Sequence, residues 1–312
     1  MTTFVQDAVF SSRLSRRTAM KGAFAAGVAG AFGLRGLDVL AHQDAGEYPE
    51  VVIVATEYAF EMPATVESGF TRVTLDCTNA AMGHHAILLR VNDDATLADL
   101  EAALQEPLFE PIFAVAVAVG GPSACPGGSE SVIVDLTPGS YMAICAIPDE
   151  QGVPHYALGM QAAFEVTDSG ATAEAPEAVA TVQLMEMMFH GLEASTVAAG
   201  PQVWAIENVG AQIHELVVLR LAPGVTYEQF QEMMMAPPEA SPMPEMDHAS
   251  PAAEMAPPVT EAGGIAPMSP GFTNYAELDL EAGEHVALCF VPDPETGAPH
   301  FALGMVMPFT VA

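Results

Sequence analysis

Two stretches of this 312-residue chain carry the same three chemically able side chains in the same order. Residues 145–166 read CAIPDEQGVPHYALGMQAAFEV and residues 289–311 read CFVPDPETGAPHFALGMVMPFTV, and with a one-residue gap they share twelve identities. Cys145, His155 and Met160 in the first copy stand where Cys289, His300 and Met305 stand in the second. A thiolate, an imidazole and a thioether on one short loop are the soft and borderline donors that suit copper. A lone cysteine or methionine is ordinarily a packing residue and a lone buried histidine a satisfied core group. The same order written twice is harder to assign to core filling.

Each half adds a histidine six residues after an asparagine and just before an apolar run: His85 after Asn79, and His214 after Asn208. His84 is read as a neighbour of the ligand, because only His85 keeps the spacing that His214 keeps. The candidate metal ligands are therefore His85, Cys145, His155 and Met160 in one half and His214, Cys289, His300 and Met305 in the other. Two histidines, a cysteine and a weak axial methionine form the donor set of a blue-copper electron-transfer site. His42, His190, His248 and His285 share no such pattern and are assigned to structure or surface.

Short runs of β-branched and aromatic residues, broken by Gly and Pro, must position these loops. In the first half they are 51–55, 58–60, 71–77, 86–91, 131–136, 141–145 and 163–166, with Pro138-Gly139 as a turn. The second half replays the order with 179–184, 202–207, 216–221, 275–280 and 285–289. Thr96-x-x-Asp99 and Thr226-x-x-Gln229 have the form of capping boxes, so each half receives a short helix at the same place. Residues 112–119 read as a buried strand or loop. The halves are taken as residues 48–168 and 179–312, joined by an acidic, Ala-rich connector over 169–178. Residues 233–262, rich in Met, Pro, Glu and Ala, read as a mobile acidic spacer. Its thioethers and His248 leave open a second use, in holding Cu(I).

With Asn-x5-His entering a strand, Gly139-x-Tyr141-x3-Cys145 (in the second half Gly283 keeps its place while Val286 or a neighbour replaces the Tyr), His-x4-Met and a closing strand, each half resembles the cupredoxins, the plastocyanin-like blue copper proteins. That resemblance implies an all-β fold of two tandem Greek-key sandwiches, one type 1 copper per domain, and one-electron transfer to a redox partner protein. One departure stands out. Nine and ten residues separate Cys from the second His, where familiar members have only a few, and the Pro148-Asp149 and Pro292-Asp293 turns should fold the excess outward. Multidomain relatives that are oxidases or nitrite reductases place a His beside the ligand Cys, whereas Cys145 is flanked by Ile144 and Ala146 and Cys289 by Leu288 and Phe290. The expectation is a carrier or binding protein and not an enzyme. Copper handling through the Met-rich segment and a metal-free binding module are the alternatives.

Composition bounds the partners and the compartment. The chain holds 40 acidic and 8 basic residues, and five of the basic ones (Arg13, Arg16, Arg17, Lys21, Arg35) fall in the first 41 residues. A surface carrying only Arg72, Arg90 and Arg220 repels nucleic acid and anionic membranes and would steer a partner with a basic docking face. Ser15-Arg16-Arg17 through Lys21, followed by a Gly/Ala-rich apolar run, has the layout of a twin-arginine export signal over residues 1–41, with no membrane span in the mature chain. Retention of that leader as an anchor stays open. Cys77 and Cys125 are either a disulfide or two free thiols.

Overall fold

The computed structural model describes residues 48–106, 110–124, 126–170, 173–192, 197–235 and 258–312. The leader, Cys125 and the bulk of the Met-rich segment, residues 236–257, lie outside them. Among the described residues no helix is long and apolar enough to cross a membrane.

The first half contributes β1 (Glu50–Thr56), β2 (Ala59–Glu61), β3 (Thr65–Glu67), β4 (Gly69–Asp76), β5 (His84–His85), β6 (Ile87–Val91), β7 (Ala116–Ala118), β8 (Ser123–Ala124), β9 (Ser129–Leu136), β10 (Gly139–Ile144) and β11 (Gln161–Thr167). The second contributes β12 (Ala180–Met185), β13 (Met188–His190), β14 (Gly200–Asn208), β15 (His214–Leu221), β16 (Val259–Met268), β17 (Thr273–Leu280), β18 (Gly283–Leu288) and β19 (Val306–Val311). Period-two patterning makes the strands: in β1, Val51, Ile53 and Ala55 point into the core while Val52 faces out. The chain is all-β in class and its halves have the cupredoxin-like sandwich topology. In each, β1 and β12 pair in parallel with β4 and β14, and β6–β10–β11 opposite them matches β15–β18–β19.

Both short helices form where their capping boxes place them. In α1 (Leu97–Ala103), Thr96 Oγ1 accepts from the Asp99 N–H at 3.2 Å and the Asp99 carboxylate accepts from the Thr96 N–H at 2.9 Å. Ahead of α3 (Tyr227–Met235), Thr226 and Gln229 make the same reciprocal pair at 3.3 and 2.9 Å. Each helix covers a satellite core, Leu100 and Leu104 in one half and Phe230 and Met234 in the other.

Two sequence expectations change. Residues 112–119 are neither a strand nor a loop throughout, because α2 (Glu110–Val115) precedes β7. Pro111 sits in the first turn, the one part of a helix that tolerates proline. The spacer expected over 233–262 is ordered at both ends, by the last turn of α3 and the start of β16. β16 contains Gly263-Gly264, which reads as a loop, yet Gly264 has φ +148° and a Cβ built on it would run into the Leu216 carbonyl oxygen. Gly121, φ +139°, lies in the same way against Ala86 O in the first half. Gly264→Ala is therefore expected to cost about 2 kcal/mol or more, lowering the thermal midpoint by at least about 4 °C. A midpoint within a degree of wild type would show that this close approach does not exist.

The two halves share one sheet. β9 pairs antiparallel with β17 through Val132↔Ala276, Ile133↔Tyr275 and Val134↔Asn274, giving an eight-stranded sheet in the order β13-β12-β14-β17-β9-β4-β1-β2. Arg72 on β4 clamps Glu277 on β17 with two N–H···O bonds of 2.7 Å. A second seam runs from β7 to β16, where the Ala266 N–H donates to Gly121 O at 2.7 Å and the Ser269 N–H to Ala118 O at 2.8 Å. The principal apolar core accordingly runs through both halves, from Ile53 and Leu75 to Leu184 and Trp204.

Candidate metal centres

β10 and β18 each end by delivering a fully buried cysteine, Cys145 and Cys289. The long stretch after each one is a closed excursion pinned at its base. Pro148 bridges Pro154, the Asp149 carboxylate accepts from the N–H groups of Gln151 and Val153 at 2.9 Å, and Gly152 turns with φ 83°. In the second half Pro292 bridges Pro299, Asp293 accepts from the Thr296 N–H at 2.8 Å, and Gly297 turns with φ 70°. The base then returns the chain to the cysteine: the N–H of Tyr156 donates to Cys145 O and that of Phe301 to Cys289 O, both at 2.8 Å. The lengthened loops thus cost the histidines nothing in position.

A single 3-10 turn follows in each half, His155–Leu158 and His300–Leu303, ended by Gly159 and Gly304 in the left-handed region. Its closure brings the next residue back, so that the Met160 N–H donates to His155 O at 3.0 Å and the Met305 N–H to His300 O at 2.9 Å. Both methionines are fully buried, and their carbonyls accept from the Cys145 and Cys289 N–H groups.

The first histidine is where the structure departs from the sequence reading. His84, not His85, meets the other donors: its Nδ1 is 3.2 Å from His155 Nδ1 and 3.8 Å from Cys145 Sγ, and His155 Nδ1 is 3.5 Å from the same sulfur. His85 faces away from that triangle and accepts the Ala146 N–H on Nε2 at 2.9 Å. In the second half His214 Nδ1 is 3.1 Å from His300 Nδ1, which is 3.5 Å from Cys289 Sγ. His84, Cys145 and His155 form one buried group of potential metal ligands, and His214, Cys289 and His300 the other.

The equal asparagine spacing is a coincidence. Asn208 is buried and its amide ties Gln212 O and Met268 O at 2.9 and 2.8 Å, whereas Asn79 is exposed. By backbone pairing the counterpart of Asn208 is Cys77, whose carbonyl accepts from Gly127 as that of Asn208 does from Gly271. The carboxylates of Glu57 and Glu186 then fix Ala81 and Ala211 through their N–H groups. The first loop holds one residue more between these two anchors, and the ligand register shifts by one. Counting back from the strand arginines gives the correct register, because Arg90 and Arg220 each lie six residues after the cluster histidine and each reach a turn carbonyl, Pro138 O and Ala282 O. Sequence reasoning also missed Glu57 and Glu186. Each precedes a residue held at positive φ, Tyr58 (63°) and Met187 (58°), whose carbonyl lies over Gly159 or Gly304.

Burial sets the charge state of the donors. It pushes the Cys145 thiol up to about 12 and the Cys289 thiol well above its usual value. It also lowers His84 and His214 to about 4, helped in each case by the facing histidine. The imidazoles are therefore neutral, with lone pairs free to face a cation. The buried Nε2 atoms of His84, His155 and His300 have no hydrogen-bond partner, so these rings are anchored by packing and by whatever Nδ1 faces, while His214 Nε2 lies 3.9 Å from the Glu186 carboxylate. In the first triangle a point about 2 Å from all three donor atoms exists, the length of metal–imidazole bonds. Two nitrogens and a sulfur at that range suit copper. Cys77 is a free, buried thiol outside the group.

No protein-family model matches the chain, and no curated protein does. Solved structures do. A dithionite-reduced auracyanin from Roseiflexus castenholzii is 19% identical, covering 42% of this chain and 94% of its own, with a TM-score of 0.27. A multicopper oxidase is 15% identical over 84% of this chain and 88% of that one, TM-score 0.24. A copper nitrite reductase from Nitrosomonas europaea is 13% identical over 85% and 93%, TM-score 0.23. Each half combines a cupredoxin-like fold with one buried His–Cys–His group. At such identities the likeness is one of fold alone. The oxidase and the reductase share that fold, so the expectation that the chain is not an enzyme is withdrawn.

Proposed function

We propose that the protein binds one type 1-like copper in each half and serves one-electron transfer. The ligands in this reading are His84, Cys145, His155 and Met160 in the first half and His214, Cys289, His300 and Met305 in the second. The observation that carries it is the repeated convergence of two imidazoles and one Sγ, fully buried: 3.2 to 3.8 Å from one another in the first cluster, and in the second within 4.8 Å, with His300 Nδ1 3.1 Å from His214 Nδ1 and 3.5 Å from Cys289 Sγ. Bound copper would supply a one-electron couple held by a thiolate. The chain does the rest. Its core excludes water, and backbone N–H groups of His85 and Ile147 aim at the Cys145 sulfur, as those of Glu215 and Val291 do at Cys289. Loops pinned at both ends leave the donors little room to move when the charge changes.

His155 and His300 are themselves buried, but Leu158 and Leu303, one turn on, are exposed. These apolar tips would be where a redox partner docks, and the acidic surface would steer a partner of basic character at low salt. The twin-arginine layout of the leader supports export, with the periplasm or the exterior as the place of action.

The test is voltammetry of the copper-loaded protein. Reversible one-electron waves are expected. Copper uptake without a reversible wave would leave binding in place and remove electron transfer.

A further inference from the structure

The hairpin of β12 and β13 carries three methionines within four residues, Met185, Met187 and Met188. Met187 is half-buried at the turn, while Met185 and Met188 are 36% and 52% exposed. Those two are partners across the hairpin, so their side chains leave one face with Cβ atoms about 4.5–5.5 Å apart. Each side chain is unbranched, flexible and tipped with a polarisable sulfur, so the two thioethers can close on one ion. Packing does not account for them, because the hairpin fills the core with Leu184 and Phe189 from its other face. The first half builds the same hairpin, pairing Thr56 with Ala59 and holding Tyr58 at positive φ, and places no thioether among residues 56–59.

The methionine tip is tied to both ligand loops of the second cluster. Glu186, between Met185 and Met187, accepts the N–H groups of Ala211 and Gln212 on the loop leading into His214, and its carboxylate lies 3.9 Å from His214 Nε2. The Met187 carbonyl oxygen stands 3.6 Å from a Cβ built on Gly304, the residue before Met305. At the corresponding place in the first half, the Tyr58 ring lies edge-on to His155 with centroids 5.0 Å apart.

We propose that Met185, Met187 and Met188 form an exposed Cu(I) site that loads the His214–Cys289–His300 cluster beneath it. Cu(I) is soft and selects thioethers over the carboxylates that dominate this surface. Capture stands on the hairpin alone, whereas the loading step rests on the copper reading above. Loading is a ligand exchange without change of oxidation state: bonds from Cu(I) to the thioethers break, bonds to the Cys289 sulfur and the imidazoles form, and the thiol proton leaves to water. The first cluster, under Tyr58, has no such outer site.

Capture is read by anaerobic Cu(I) titration against a chromogenic chelator in the full chain carrying Cys145→Ser and Cys289→Ser, in which neither buried cluster keeps its thiol. Met185→Leu, Met187→Leu and Met188→Leu together keep the side-chain volume and remove the sulfurs. They should remove one equivalent of bound Cu(I) while the thermal midpoint stays within about 3 °C. Loading is read in Cys145→Ser from the ultraviolet thiolate–Cu(I) absorption that grows as Cys289 takes the metal. With the three leucines it should grow several-fold more slowly and reach the same final amplitude. A titration unchanged by the leucines would overturn the site. A lost equivalent with an unchanged loading rate would overturn its role in loading. No thiolate–Cu(I) absorption with or without the leucines would overturn loading and the copper reading of that cluster together, leaving capture to be decided by the titration.

Discussion

Cys145→Ser and Cys289→Ser are each expected to remove about half of the intense thiolate-to-copper absorption of the loaded protein, and the double variant all of it. The cysteine is the one donor of either cluster that can give a thiolate, and each cluster draws its ligands from one half of the chain. A serine oxygen fills nearly the same space without the charge-transfer band, so the fold should survive while the colour goes. Visible spectra and copper content on the same samples decide the matter. A band that disappears completely in one variant and stays whole in the other would mean that one half alone holds metal. No band in the wild-type chain would remove the copper reading.

The second large effect separates adjacent histidines. His84→Ala is expected to abolish metal at the first cluster, taking copper from two equivalents to one. His85→Ala should keep the metal with about 10- to 100-fold weaker affinity, the usual cost of losing a residue that orients a ligand. His85 supplies the acceptor for the part-buried Ala146 N–H, and losing it costs roughly 1 kcal/mol of stability. Copper titrations of the two variants, read beside their thermal midpoints, test the assignment. The reverse pattern, with His85→Ala losing the copper, would restore the ligand that the Asn spacing suggests.

Those two residues also mark where the sequence stops being legible. The Cys-His-Met loop can be read because its information is local: two prolines, an Asx-type turn, a glycine in the left-handed region and the ligands all lie within about twenty residues. The first histidine depends instead on a loop anchored by contacts far away in sequence. Glu57 holds Ala81, Glu186 holds Ala211, and the extra residue before Ala81 is invisible until those anchors are known. The helices are legible through Thr96 and Thr226, whose capping partners lie three residues on. β16 is not, since Gly263-Gly264 reads as a break until the Leu216 carbonyl is seen to occupy the space where a side chain would be. The pairing of β9 with β17 joins residues more than a hundred positions apart, and no local pattern announces it.

That pairing has a consequence for how readily one copy could add a strand to another. Strands left open at a sheet edge are templates for a second chain. β9 and β17 would each be eight-residue edges if the halves stood alone, and pairing them through three residues of each covers that stretch of both. The outer strands of the shared sheet are then β2 and β13, three residues each, one of which carries Glu61 and the other His190. Edges this short offer too few hydrogen bonds to recruit a neighbour. On a chain with net charge −32, repulsion between copies works in the same direction. The duplication thus gives each half a cover for its most aggregation-prone strand.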